Sequence, residues 1–69
     1  MVNTDKLLGI MAEKHKRQKD VAKALGMSPK TFYLRMQSKV FGSDEIEIMI
    51  EVLDIDNPMP IFFDPKVSP

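Results

Sequence analysis

A glycine between two short amphipathic segments is the feature that most constrains the fold of this chain. Residues 18–25 place Val21, Ala22 and Leu25 on one face of a predicted helix. Gly26 follows, and glycine adopts the positive φ that ends many helices without the steric cost that other residues incur. Ser28 and Pro29 then predict a new helix, because serine is a favourable N-cap and proline suits the first helical position. The pattern therefore predicts two helices joined by a tight turn.

The second of these helices is predicted over 29–37 and turns Phe32 and Met36 inward at helical spacing. Two helices joined this tightly have the geometry of a helix-turn-helix, here over about 18–37. In that motif the second helix is offered to the major groove of DNA. The spacing alone therefore raises nucleic-acid binding as a hypothesis.

Two further helices are predicted on either side of this motif, which makes the architecture all-α with four to five helices. The first runs over about 4–15, is capped by Asn3 or Thr4, and contains Gly9, which weakens it by about 1 kcal/mol relative to alanine. Close packing against a neighbouring helix is one reason for a glycine there. After a loop over 38–42, Ser43 is the predicted cap of a helix over 44–53. Both helices carry an apolar stripe at helical spacing, formed by Leu7, Ile10 and Met11 in one and by Ile46, Met49, Ile50 and Leu53 in the other.

The C-terminal segment, residues 54–69, contains four prolines and an apolar cluster of Ile61, Phe62 and Phe63. Prolines interrupt regular helices, so a short fifth helix and an extended strand are both compatible with the pattern. The cluster is the candidate interface of a homodimer, and the alternative is that it closes the core of one chain. We expect residues 66–69 to be frayed.

The overall charge of zero conceals a strong asymmetry. Residues 1–40 hold nine of the ten basic residues and three acids, a net charge of +6, whereas residues 41–69 carry −6. The basic half coincides with the predicted helix-turn-helix, where phosphates would lie. The alternative is that these charges only solvate helix faces.

Composition excludes several other classes of protein. The 69 residues, taken as one domain over 1–69, bury only roughly 60% of the unfolded surface, so a dimer would add stability. Without cysteine there is no disulfide or thiolate metal site, which fits a reducing cytoplasm. No apolar run approaches the roughly 20 residues of a membrane span. His15 stands alone and the three glycines are scattered, so we expect no enzyme activity, no metal and no cofactor.

The motif residues resemble a known family. Gln18-x-x-Val21-Ala22-x-x-Leu25-Gly26-Met27-Ser28 is similar to the Q-x-x-[LV]-A-x-x-[LM]-G-[VM]-S pattern of the lambda-repressor and Cro-like (XRE) superfamily of phage regulators. The resemblance covers about residues 4–63 and is specific only in the helix-turn-helix. It implies a lambda-repressor-like bundle of four or five helices that binds operator DNA, usually as a dimer. Many relatives carry an aliphatic core residue at the position of Arg35, so Met36 is expected to take that packing role.

The resemblance also assigns roles to individual positions. Gln18 would bond a phosphate and brace the second helix of the motif, and Ala22 is small because that helix passes close by. Arg17, Lys19 and Lys39 flank the helices as candidate contacts to the DNA backbone. The residues implied on or beside the groove-facing side are Ser28, Pro29, Lys30, Thr31, Tyr33, Leu34 and Gln37.

Each base-reading assignment has an alternative. Lys30 could reach guanine and Gln37 adenine, and Leu34 could touch a thymine methyl group. Against these, Lys30 could be a solvated charge, Tyr33 could cover the edge of the core, and Leu34 could contact a protein. Two hypotheses follow: a sequence-specific DNA-binding regulator, or an antirepressor-type module that engages a phage repressor.

Overall fold

The computed structural model describes residues 1–66, and five helices account for most of them. The all-α class predicted from the sequence is confirmed, and no strand occurs within this part of the chain. Residues 67–69, where the predicted fraying falls, lie outside the described residues. The helices are α1 (Thr4–Glu13), α2 (Gln18–Ala24), α3 (Pro29–Ser38), α4 (Ser43–Val52) and α5 (Met59–Phe62).

The starts of three helices follow from short-range hydrogen bonds. Asn3 caps α1 by accepting the Lys6 N–H at 3.1 Å, and Ser28 caps α3 by accepting the Thr31 N–H at 3.1 Å, as predicted. The predicted cap of α4 is wrong, because Gly42 is the N-cap and Ser43 is the first helical residue. The Glu45 carboxylate accepts the Gly42 N–H at 2.7 Å, so a side chain from inside the helix satisfies the end.

Left-handed residues follow four of the helices. Gly26 has φ of +72° after α2, as its place in the motif predicted. His15, Lys39 and Asp54 take the same conformation after α1, α3 and α4, with φ of 58°, 61° and 50°. The first helix therefore stops at Glu13, two residues before the predicted end. These three residues hold a backbone conformation that costs roughly 1–2 kcal/mol without glycine.

One shared core lies between the helices. Helix α2 packs against α3 and α4, and α1 packs against α5. Phe32 and Met36 face inward as predicted, and the Phe32 and Phe41 rings lie 5.9 Å apart in a tilted arrangement. The buried apolar residues are Val2, Leu7, Met11, Val21, Ala22, Phe32, Met36, Phe41, Met49, Leu53, Ile61 and Phe62.

The C-terminal segment closes this core through a short helix. Ile61 and Phe62 on α5 are buried within the single chain, so neither offers surface to a second copy. The interface predicted from these residues reduces to Phe63, which keeps 52% of its surface exposed. Prolines at both ends of the apolar cluster limit α5 to four residues, and successive residues of so short a helix point to different sides.

The N-terminal residues Val2 and Asn3 form backbone hydrogen bonds with the end of α3 and with α5. The Val2 N–H donates to the Lys39 carbonyl at 3.2 Å, and the Asn3 N–H donates to the Ile61 carbonyl at 2.6 Å. The Lys66 N–H donates to the Asp64 carboxylate at 2.9 Å within the C-terminal segment. A two-residue segment therefore joins the end of the motif to the C-terminal segment.

Gly9 has no packing role within the chain. A Cβ placed on it would meet no atom within 4 Å, so the close approach of a neighbouring helix does not explain this glycine. No helix in residues 1–66 has the length and apolar character needed to cross a membrane.

Candidate nucleic-acid interface

The outward side of α3 presents four exposed side chains as one group. Tyr33 and Leu34 each lie three or four residues from both Lys30 and Gln37, which places the four side chains together on one side of the helix. We call these four residues the outer face of α3. Tyr33 and Leu34 keep 56% and 54% of their surfaces exposed, so neither is absorbed by the core.

The small hydroxyl residues beside this face are engaged within the helix. The Ser28 hydroxyl donates to Thr31 Oγ1 at 3.0 Å while accepting the Thr31 N–H. The Ser38 hydroxyl donates to the Arg35 carbonyl at 3.0 Å. The structure therefore assigns Ser28 and Thr31 to the cap of α3, and the polar groups left facing outward belong to Lys30, Tyr33 and Gln37.

A groove between α1 and α3 brings Gln18 to the outer face. Its lining residues are Thr4, Asp5, Leu8, Gln18, Tyr33, Met36 and Gln37. The first residue of α2 thus shares one concave surface with Tyr33 and Gln37. Asp5 adds a negative charge to the same groove, which disfavours a phosphate close to that carboxylate.

A second groove joins α2 to the beginning of α3. It is lined by Lys19, Asp20, Lys23, Met27 and Pro29. Lys19 and Pro29, both predicted site residues, lie in it together. Arg17 precedes α2 as its N-cap, and its N–H donates to the Asp20 carboxylate at 3.1 Å. The start of α2 is therefore held by Asp20, which leaves the Arg17 guanidinium free to face solvent.

Lys39 ends α3 at a position held from two sides. Its N–H donates to the Arg35 carbonyl at 2.8 Å, and its own carbonyl accepts the Val2 N–H. Its side chain is exposed. The loop that follows is fastened by Glu45, whose carboxylate binds both the Arg35 guanidinium and the Gly42 N–H.

The Arg35–Glu45 ion pair was missed by sequence reasoning. Arg35 lies on α3 and Glu45 on α4, ten positions apart in the sequence, so no periodicity within one helix relates them. The only available signal was a basic residue where an aliphatic core residue was expected. The pair shows how the chain accommodates that arginine: its charge meets a partly buried carboxylate beside the core.

Most of the basic charge of residues 1–40 remains available. Within the described residues, Lys6 pairs with Asp64 at 3.9 Å and Arg35 pairs with Glu45, and the other basic residues of this half form no ion pair. The basic residues without an ion pair are Lys14, Lys16, Arg17, Lys19, Lys23, Lys30 and Lys39. This excess positive charge includes all three predicted backbone contacts.

Among the carboxyl groups of residues 1–66, the one with a shifted pKa, Asp64, lies outside this region. Hydrogen bonds from the Asn3 side-chain amide and the Lys66 N–H hold the pKa of Asp64 below its ordinary value, with a smaller contribution from the Lys6 charge. Asp64 is buried and links α1 to the C-terminal segment, so its role is structural. Within residues 1–66 no group of three or more His, Asp or Glu side chains lies close enough together to hold a metal ion.

Comparisons with protein-family models, with characterised proteins and with solved structures found no match to this chain.

Proposed function

We propose that this protein is a sequence-specific DNA-binding regulator, a phage repressor or Cro-like protein that inserts α3 into the major groove of operator DNA. The observation that carries the proposal is the outer face of α3, which is exposed and is flanked by basic residues that form no ion pair. A helix that follows a glycine turn and presents its polar side chains outward is the reading element of a helix-turn-helix. The resemblance of residues 18–28 to the lambda-repressor and Cro-like superfamily supports the same assignment.

In this proposal the residues divide into two roles. Lys30, Tyr33, Leu34 and Gln37 meet base edges, because they are exposed together on one side of α3. Gln18 and the side chains of Arg17, Lys19 and Lys39 meet phosphates on either side. Pro29 lies at the edge of the contact beside Lys19, and Ser28 and Thr31 contribute through the cap that orients the helix.

A single copy offers few base contacts, so we propose that a homodimer binds two half-sites about 34 Å apart. Phe63, with Met59 four residues earlier, gives α5 an exposed apolar side that a second copy could cover. Operator occupancy would then repress transcription by excluding polymerase. The proposal places the protein in the cytoplasm of a bacterial host, where operator DNA lies, and gives it no catalytic role.

Fluorescence anisotropy with duplexes from the region flanking its own gene tests this proposal. We expect binding at least about a thousandfold tighter than to a random duplex at moderate salt. Lys19→Ala should weaken binding to both duplexes, whereas Lys66→Ala, the same charge change outside the motif, should leave it unchanged. Equal affinity for flanking and random DNA would refute sequence-specific regulation.

A second candidate function is a protein-binding module that engages a phage repressor. The exposure of both Tyr33 and Leu34 on the outer face favours it, because large apolar side chains are unusual on a surface that meets only DNA and water. Mixing the protein with the repressor encoded beside its gene, followed by light scattering on a sizing column, separates the two functions. A mixed complex that is lost in Leu34→Ala, together with no preference among DNA duplexes, would favour the protein-binding module.

A further inference from the structure

An apolar side chain occupies the middle of the outer face of α3. Leu34 has Lys30 four residues before it and Gln37 three residues after it, so polar groups stand on both sides along the helix. It keeps 54% of its surface exposed, and its exposure shows that the core does not require it. The Leu34 side chain is therefore available to a partner outside the chain.

The chemistry of the major groove limits what that partner can be. Among the four bases only thymine presents an apolar group there, the 5-methyl, and the other groups facing the groove are hydrogen-bond donors or acceptors. A donor or acceptor facing Leu34 would lose its water without gaining a partner, which disfavours binding. We propose that Leu34 makes the protein selective for a pyrimidine 5-methyl group at the base step facing the centre of α3; the inference rests on the proposed function.

The neighbouring hydroxyls strengthen this inference. The Ser28 and Ser38 hydroxyls already donate their protons within α3, so neither donates to the same base without breaking that bond. In this proposal Lys30 and Gln37 face the flanking base pairs, and Leu34 faces the middle one beside Tyr33. The discrimination that Leu34 provides then depends on apolar contact rather than on hydrogen bonding.

Thymine and uracil differ only by this methyl group, which gives a direct test. Duplexes with a random core are first enriched for binding to the wild-type protein. The enriched duplexes are then amplified with thymidine triphosphate to give a thymine pool, or with deoxyuridine triphosphate to give a uracil pool. Anisotropy titration of the two pools gives the ratio of their dissociation constants. We expect the uracil pool to bind about fourfold more weakly for one contacted methyl and about fifteenfold more weakly for two half-sites.

Two variants show whether Leu34 is responsible. Leu34→Ala should bind both pools equally, and its fold should be unchanged by circular dichroism because the side chain is exposed. Lys30→Ala should bind more weakly but keep the wild-type ratio between the pools. Equal binding of both pools by the wild type, or an undiminished ratio in Leu34→Ala, would overturn the inference and leave DNA binding standing. No enrichment at all from the random pool would refute the proposed function and this inference with it.

Discussion

Gly9 and Gly26 make opposite predictions for the same substitution. Both positions leave open space where a Cβ would stand, with no atom within 4 Å, so alanine creates no clash at either. The two differ only in backbone conformation. Gly9 is the sixth of ten residues in a regular helix, whereas Gly26 has φ of +72°. Alanine at these positions therefore isolates the conformational term of the folding free energy.

The magnitudes follow from that difference. Gly9→Ala should stabilise the protein by about 1 kcal/mol, the difference in helix propensity between the two residues. In Gly26→Ala the left-handed conformation raises the free energy of the folded state by roughly 1–2 kcal/mol. Alanine also makes the unfolded chain less flexible, which offsets about 0.4–1 kcal/mol of that destabilisation. The net destabilisation is about 1 kcal/mol. Since 1 kcal/mol shifts the Tm of a domain this small by about 4–8 °C, the two variants should differ by about 8–16 °C.

Urea unfolding and thermal melts followed by far-UV circular dichroism measure both changes. The m-value should be the same in wild type and variants, since neither substitution alters the surface exposed on unfolding. The reasoning is refuted if Gly9→Ala destabilises the protein, which would show a contact at α1 beyond this chain. A Gly26→Ala variant stabilised as much as Gly9→Ala would refute the left-handed turn that joins α2 to α3.

Three further predictions test the core, the C-terminal segment and the candidate interface. Phe32→Ala should remove about 3–5 kcal/mol, a large share of the stability expected for 69 residues, and a cooperative melt of wild-type Tm would contradict this. The lowered pKa of Asp64 stabilises the fold above about pH 4 and ceases to do so as the carboxyl protonates at lower pH. The Tm difference between wild type and Asp64→Asn should therefore shrink from pH 6 to pH 3, and a constant difference would contradict the linkage. The slope of log affinity against log salt should fall by about 1 in Lys19→Ala and stay unchanged in Lys66→Ala; equal slopes in the two variants would remove Lys19 from the phosphate contacts.

Local chemistry made much of the fold predictable. Asn3 and Ser28 cap their helices through a backbone N–H three residues away, and Gly26 turns the chain by its own conformational freedom. Phe32 and Met36 lie four residues apart, so helical periodicity identified both as core residues. These features depend on groups within one helical turn of each other.

The two failures had different causes, a competing cap within α4 and an ion pair between helices. Ser43 is a good cap by residue type, but the Glu45 carboxylate satisfies the Gly42 N–H and shifts the start of α4 by one residue. Arg35 and Glu45 belong to different helices, and their pairing depends on how α3 and α4 are placed. No pattern in the sequence encodes that distance.

The sequence by itself determined the all-α class of this protein, where α1, α2 and α3 begin, where the glycine turn lies, and which side of α3 faces inward. Only the tertiary structure decided that Ile61 and Phe62 close the core while Phe63 stays outside, and that Gln18 shares a groove with Tyr33 and Gln37. Caps and periodicity act through bonds spanning at most one turn, so they can be read along the chain. Burial of an apolar residue depends on surfaces brought together from distant segments, and that information exists only once the chain has folded.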